Sequence, residues 1–165
     1  MKILVTGPES SGKSTLARAL AWCLDGIYVA EEARYFLHAL DRPYRQSDLD
    51  FILQKQLCAE DSALALGSSY VICDTGPEVL RIWSEVKYGS CAPRIRDAVS
   101  RMSYDVVLLC YPDVPWTYDA LREAPDEAAR LELFDRYAAL LPDAAIVKGN
   151  RRTTVALSIV QRISC

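Results

Sequence analysis

Lys2-Ile3-Leu4-Val5-Thr6-Gly7-Pro8-Glu9-Ser10-Ser11-Gly12-Lys13-Ser14-Thr15 joins a short apolar run to a glycine-bounded loop. The run reads as a buried strand ending at a glycine. Behind the loop, residues 13–24 place Leu16, Leu20 and Leu24 on one helical face. Between strand and helix, Gly7 to Ser14 fits the spacing G-x-x-x-x-G-K-[ST]. Glycines at both ends let the backbone turn so that successive N–H groups point at phosphate oxygens. The helix that follows adds the positive end of its dipole. Lys13 then reaches the β- and γ-phosphates, the Ser14 hydroxyl is the expected Mg²⁺ ligand, and Thr15 is placed for the α-phosphate. Gly7, Pro8, Glu9, Ser10, Ser11, Gly12, Lys13, Ser14 and Thr15 are therefore the expected ATP-binding residues.

Outward from this loop, strand and helix signals alternate along the chain. Residues 27–30 form a second apolar stretch, followed by a helical segment to about Leu40, and Asp41-Arg42-Pro43 breaks the pattern. Ser47 is the expected N-cap of a long helix with Leu49, Leu53 and Leu57 on one face. Residues 70–73 read as a third strand closed by Asp74-Thr75-Gly76-Pro77, with helices expected around 78–86 and 94–102. Residues 105–111 are the most apolar stretch and predict an interior parallel strand buried on both faces. After a polar, proline-interrupted segment at 112–125, Leu133, Tyr137 and Leu141 resume helical spacing. Residues 144–147 predict a fifth strand, and Val155, Ile159 and Ile163 the buried face of a last helix. Five short strands separated by helices predict an α/β fold: a P-loop NTPase three-layer α/β/α sandwich with a mostly parallel sheet and a helical lid at about 112–130.

Composition narrows the function. The chain has 165 residues, 51% hydrophobic and 25% charged, which suits one domain spanning 1–165. Its net charge of −3 disfavours a nucleic-acid coat. Six cysteines without a C-x-x-C pair and a single His give no zinc site of ordinary spacing. Cys73 and Cys110 sit inside apolar runs and read as small buried hydrophobes of a reducing compartment. No apolar run approaches the roughly 20 residues of a membrane helix, and the first strand's start close to the N-terminus leads us to expect no signal peptide. The expectation is a cytoplasmic protein without membrane or nucleic-acid partners; oligomeric state leaves no mark in the sequence.

A GTPase would carry an N-K-x-D motif and a D-x-x-G switch, but Asp74 is followed by Thr-Gly-Pro and the chain has no N-K pair. A small-molecule kinase needs an acceptor-side carboxylate and a lid with arginines. Asp74 closes the third strand where doubly wound sheets bind ligands. There it either holds Mg²⁺ through water or accepts the acceptor hydroxyl's proton; the alternative is a turn or N-cap Asp. Glu31 and Glu32 follow the second strand in the same topological position. One of them would hydrogen-bond an acceptor sugar, unless both serve only the first turn of a helix. Arg122 and Arg130 fall in the lid segment, where they would close over the phosphates or remain simply solvated. Gly149-Asn150-Arg151 follows the fifth strand and either borders the adenine or forms a plain turn. Tyr35, Tyr44, Trp83 and Tyr88 are candidate stacking partners for a flat ring.

With these residues in place, the chain resembles the nicotinamide riboside kinase domain of NadR-type bacterial NAD-biosynthesis proteins. The likeness lies in Gly-Pro-Glu-Ser-Ser-Gly-Lys-Ser-Thr, Glu31 and Arg34 as E-x-x-R, Asp74-Thr75, the Trp83 to Tyr88-Gly89 stretch, and Pro115-Trp116…Asp119…Leu121-Arg122. It runs from residue 2 to about 141. The family often carries an acidic residue two after the strand Asp and a Thr soon after; here Gly76, Val79 and Leu80 stand. The resemblance implies transfer of the ATP γ-phosphoryl group to the 5′-hydroxyl of nicotinamide riboside, with Lys13, Ser14 and Thr15 holding ATP and Mg²⁺. It places Asp74 and Glu31 toward the acceptor, with Arg34 supporting them, and Arg122 in the lid; Tyr35 is added to the expected substrate residues as a candidate stacking ring. The rivals are a kinase for another nucleoside and a nucleotide-dependent ATPase switch with no small acceptor.

Overall fold

Side chains along β1 (Lys2–Thr6) alternate between two cores, and this alternation sets the layering. A computed structural model describes residues 1–118 and 126–164 of the chain. Ile3 and Val5 pack with Leu16 and Leu20 of α1 (Lys13–Cys23) and with Ala156 and Val160 of α7 (Arg152–Ser164). Leu4 points the other way, against Val29 of β2 (Ile27–Val29), Val71 and Cys73 of β3 (Val71–Asp74) and Ala63 of α3 (Gln46–Ala65). A strand buried on both faces is the mark of a parallel sheet covered by helices.

The sheet has five strands in the order β2-β3-β1-β4-β5, completed by β4 (Val106–Cys110) and β5 (Ala145–Val147). All four pairings are parallel, so the expected mostly parallel sheet is wholly so among the described residues. On the face opposite α1 and α7, α3 joins α4 (Pro77–Tyr88), α5 (Pro93–Ser100) and α6 (Glu127–Leu140) around Leu49, Ile52, Leu53, Leu80, Ile95, Phe134 and Tyr137. The short α2 (Glu32–Ala39) contributes Ala33 to the same core. The predicted three layers are present. β1 lies between β3 and β4, so the chain leaves it in both directions and opens a crevice at the carboxyl ends of the strands.

Three local expectations are corrected. Ser47 lies inside α3 rather than capping it. The helix starts two residues earlier, capped at Arg45, because the Asp48 carboxylate reaches back to the Arg45 N–H at 2.7 Å while the Arg42 guanidinium grips it at 2.8 and 2.9 Å. A charged acceptor held in place outcompetes a serine hydroxyl. Leu57 is 36% exposed; the buried face of α3 instead continues through Gln56 and Glu60, two polar residues that apolar spacing cannot reveal. On α7 the buried residues are Ala156 and Val160, whereas Val155 and Ile163 are 38% and 52% exposed. Ala156 allows the helix to lie close against α1 and the sheet, and that approach selects the face.

Candidate functional site

The loop after β1 has the backbone its glycines predict. Gly7 has φ +140°, and a Cβ there would lie 2.7 Å from the Cys110 carbonyl oxygen, so only glycine lets the loop pass β4. Gly12, at φ +78°, stands immediately before α1, and its carbonyl accepts the Leu16 N–H at 3.0 Å. Ser10 is also left-handed, at φ +53°. Its hydroxyl donates to the Pro115 carbonyl and accepts the Thr117 N–H, both at 3.3 Å, tying the loop to the segment beyond β4.

Residues 9–15 line a cleft of about 110 Å³ whose opposite wall is Glu31, Arg34, Leu37 and Trp83. The expected ATP loop and the E-x-x-R pair thus meet in one space. Glu31 is 6% exposed, with the Arg34 Nε 3.6 Å from its carboxylate. Trp83 is the one of the candidate aromatics that lines this cleft. Tyr44 lies behind it, 6.4 Å between ring centres, and Tyr44 packs edge-on against Tyr88. Tyr35 is corrected: it is 65% exposed and outside the cleft, because one residue beyond Arg34 is about 100° further round the helix.

Asp74 ends β3 opposite Val5 of β1. It is 1% exposed and accepts the Tyr28 hydroxyl at 2.9 Å on Oδ2. Its Oδ1 is buried without a partner among the described residues. Burial, reinforced by the Asp74 charge, raises the Tyr28 phenol well above its ordinary value, so Tyr28 stays a donor. Burial also pushes the Cys110 thiol up to about 11; Arg152 and Lys13 oppose it and Asp74 adds to it, which gathers these charges at one end of the sheet. The thiol is inert packing there.

Glu78, Gln56 and Arg152 are functional-site neighbours that sequence reading passed over. Glu78 is fully buried at the start of α4 and accepts the Thr6 hydroxyl at 2.7 Å and the Gly76 N–H at 3.1 Å on one oxygen. It therefore joins the entry of the phosphate loop to the turn after Asp74. Gln56 braces the turns after β2 and β3 together: its carbonyl oxygen accepts the Glu32 N–H at 3.0 Å, and its amide donates to the Thr75 carbonyl at 3.4 Å. The E-x-x-R and Asp-Thr stretches do not point to Gln56, which acts from α3, and Glu78 reads from the sequence only as a helix-start acid because its Thr6 partner is distant in the chain.

Arg130 is corrected as a free lid cation: it sits on α6, 6% exposed, and donates to the Val114 carbonyl at 3.3 Å. It supports the segment after β4 from beneath. Arg122 lies outside the described residues. Gly149, Asn150 and Arg151 are exposed; the Gly149 N–H donates to Asp113 at 2.7 Å and its carbonyl accepts from the next residue but two, Arg152, at 3.2 Å. Among the described residues no group of three or more His, Cys, Asp or Glu could hold a metal ion, and no helix is long and apolar enough to cross a membrane.

Residues 2–154 match the AAA domain family. No curated protein matches the chain. Among solved structures it is similar to the NadR protein in complex with NR, at TM-score 0.76 and 22% identity over 98% of this chain and 51% of that one. It is similar also to the NadR protein in complex with NAD and AMP-PNP, at TM-score 0.75 and 22% identity over 99% and 49%. The chain spans about half the length of these proteins, and the expected likeness to NadR holds at the level of the fold. With its family match covering nearly all residues and its glycine loop set between β1 and α1, the chain belongs to the AAA domain family and has a NadR-like, nucleotide-binding P-loop fold.

Proposed function

We propose that the chain is an ATP- and Mg²⁺-dependent kinase that phosphorylates the ribose 5′-hydroxyl of a nucleoside, with nicotinamide riboside the leading acceptor. The observation that carries this is the single cleft with residues 9–15 on one wall and Glu31, Arg34 and Trp83 on the other. A phosphate cradle facing a carboxylate, an arginine and an indole offers parts for a triphosphate and for a polar, flat-ringed acceptor. NadR structures holding NR, and NAD with AMP-PNP, support the same pairing of ligands on this fold.

In this reading the acceptor oxygen bonds to the γ-phosphorus as the bond to the β-bridging oxygen breaks, releasing ADP. Lys13 and the loop N–H groups neutralise the transferring charge. Asp74, through its unpartnered Oδ1, orients the hydroxyl and takes its proton, and Glu31, steadied by Arg34, holds the sugar. The Ser14 hydroxyl, an oxygen donor lining the cleft, would hold Mg²⁺, which would supply further charge neutralisation when bound. Arg122 remains the proposed lid arginine; Arg130 instead holds the segment after β4 through the Val114 carbonyl.

The test is ADP release from Mg²⁺-ATP with nicotinamide riboside and a nucleoside panel, with product mass read in parallel. Stimulation by nicotinamide riboside and a phosphorylated product are expected, and Lys13→Ala should lower turnover about a hundredfold or more without unfolding the chain. Stimulation by another nucleoside alone keeps the mechanism and changes the acceptor. Slow hydrolysis indifferent to every acceptor overturns the kinase reading in favour of an ATPase switch.

A further inference from the structure

Arg152, the first residue of α7, spends its guanidinium on three loops at once. Nη1 donates to the Ser11 carbonyl at 2.7 Å, Nη2 to the Tyr111 carbonyl at 2.8 Å and to Asp113, and Nε to the Gly149 carbonyl at 3.2 Å. The other Asp113 oxygen accepts the Gly149 N–H at 2.7 Å. The Arg152 side chain is 12% exposed, so these bonds are largely shielded from water. The phosphate loop, the exit of β4 and the turn after β5 are thereby fastened to one planar group.

The Ser11 contact has a direct consequence for phosphate binding. In a trans peptide the carbonyl and the following N–H point to opposite sides of the chain. Holding the Ser11 carbonyl outward on Arg152 turns the Gly12 N–H the other way, toward the cradle. Gly12 itself is left-handed at φ +78° and has no side chain of its own to restrict the plane of the peptide before it. We infer that Arg152 is a positioning residue for the nucleotide: it orients the Ser11–Gly12 peptide for the phosphates, with Asp113 fixing the guanidinium and the turn after β5. The inference rests on the proposed ATP reading of the loop. Lysine cannot replace it, since an ammonium on a flexible stem lacks the planar fork needed to meet separate carbonyls together.

The test is calorimetric titration of Mg²⁺–AMP-PNP into the full chain and its Arg152→Lys, Arg152→Ala and Asp113→Asn variants, with steady-state kinetics alongside. Arg152→Lys is expected to weaken AMP-PNP binding about tenfold. The KM for ATP should rise by a similar factor while the KM for the acceptor stays within about twofold. Asp113→Asn keeps an oxygen for the Gly149 N–H but loses the charge, and should weaken AMP-PNP binding by about threefold. Folded Arg152→Lys that binds AMP-PNP within about twofold of wild type overturns the inference. So does an equal loss of both substrates that tracks a lowered melting temperature, the mark of a merely structural staple. Should Arg152→Ala not fold, the other two variants decide the matter. A wild-type chain that binds no AMP-PNP overturns the nucleotide reading itself, and the positioning role with it.

Discussion

Glu78 has a carboxyl fully buried at the start of α4, with hydrogen-bond donors but no ion-pair partner among the described residues. Burial pushes its pKa up to about 7 from an ordinary 4.5; the Thr6 hydroxyl and the Gly76 N–H pull it down, and the nearby Glu60 charge raises it. An acid held above its unfolded value keeps a proton in the native chain that the unfolded chain has already released. Stability is therefore expected to fall as pH rises from 4.5 to about 7, on the order of a few kcal/mol from this group. Glu78→Gln accepts the same two hydrogen bonds without a charge. Urea unfolding between pH 5 and 8 should show a flatter slope in that variant and equal or greater stability above pH 7; an unchanged slope would place the titration elsewhere. Glu78 also bears on Gly76, where the NadR-type family often has an acid. A Cβ at Gly76 would lie 2.4 Å from the Tyr104 hydroxyl and 2.8 Å from Glu78 Oε2, so the space for a side chain there is already taken.

At the scale of elements, α3 decides more than its apolar face suggests. Its start depends on Asp48, whose carboxyl is held down at about 2 by the Arg42 guanidinium and the Arg45 N–H. Asp48→Ala should cost about 1 kcal/mol in denaturant unfolding, and Ser47→Ala a few tenths at most. The reverse order would restore Ser47 as the cap. Further along, Glu60 pairs with Lys2 at 2.8 Å and accepts the Tyr104 hydroxyl at 3.0 Å, while the Gln56 amide donates to it at 3.2 Å. The same Gln56 then grips the backbone at Glu32 and Thr75. One helix thus carries a buried polar chain from the amino end of β1 to the turns that follow β2 and β3. Such a chain is worth its burial only when every member is satisfied.

For the whole molecule, the cleft lies where β1 separates two halves of the sheet, and its walls come from segments far apart in sequence. A ligand bridging them stabilises the native state as a unit. Mg²⁺–AMP-PNP at a hundred times its Kd should add about 2.7 kcal/mol, raising the melting temperature by roughly 5–10 °C for a chain of this size. A scanning-fluorimetry midpoint indifferent to AMP-PNP would contradict nucleotide binding at the loop. Residues 2–15, the five apolar runs and the helices between them were legible in the sequence because strand burial and the glycine loop depend on local spacing. Asp74 and Glu31 were legible as candidates for the same reason, since one ends a strand and the other follows one, and Arg34 by its spacing from Glu31. What only the tertiary structure decided is which polar groups distant in sequence meet: Arg152 on Ser11, Glu78 on Thr6, Gln56 between Glu32 and Thr75. It also turned α7 onto Ala156 and Val160 and drew Arg130 under Val114. Periodicity records how much of a helix is apolar and roughly where, but the face that is buried, and the partner of a buried charge, are set by contacts between elements that no local pattern encodes.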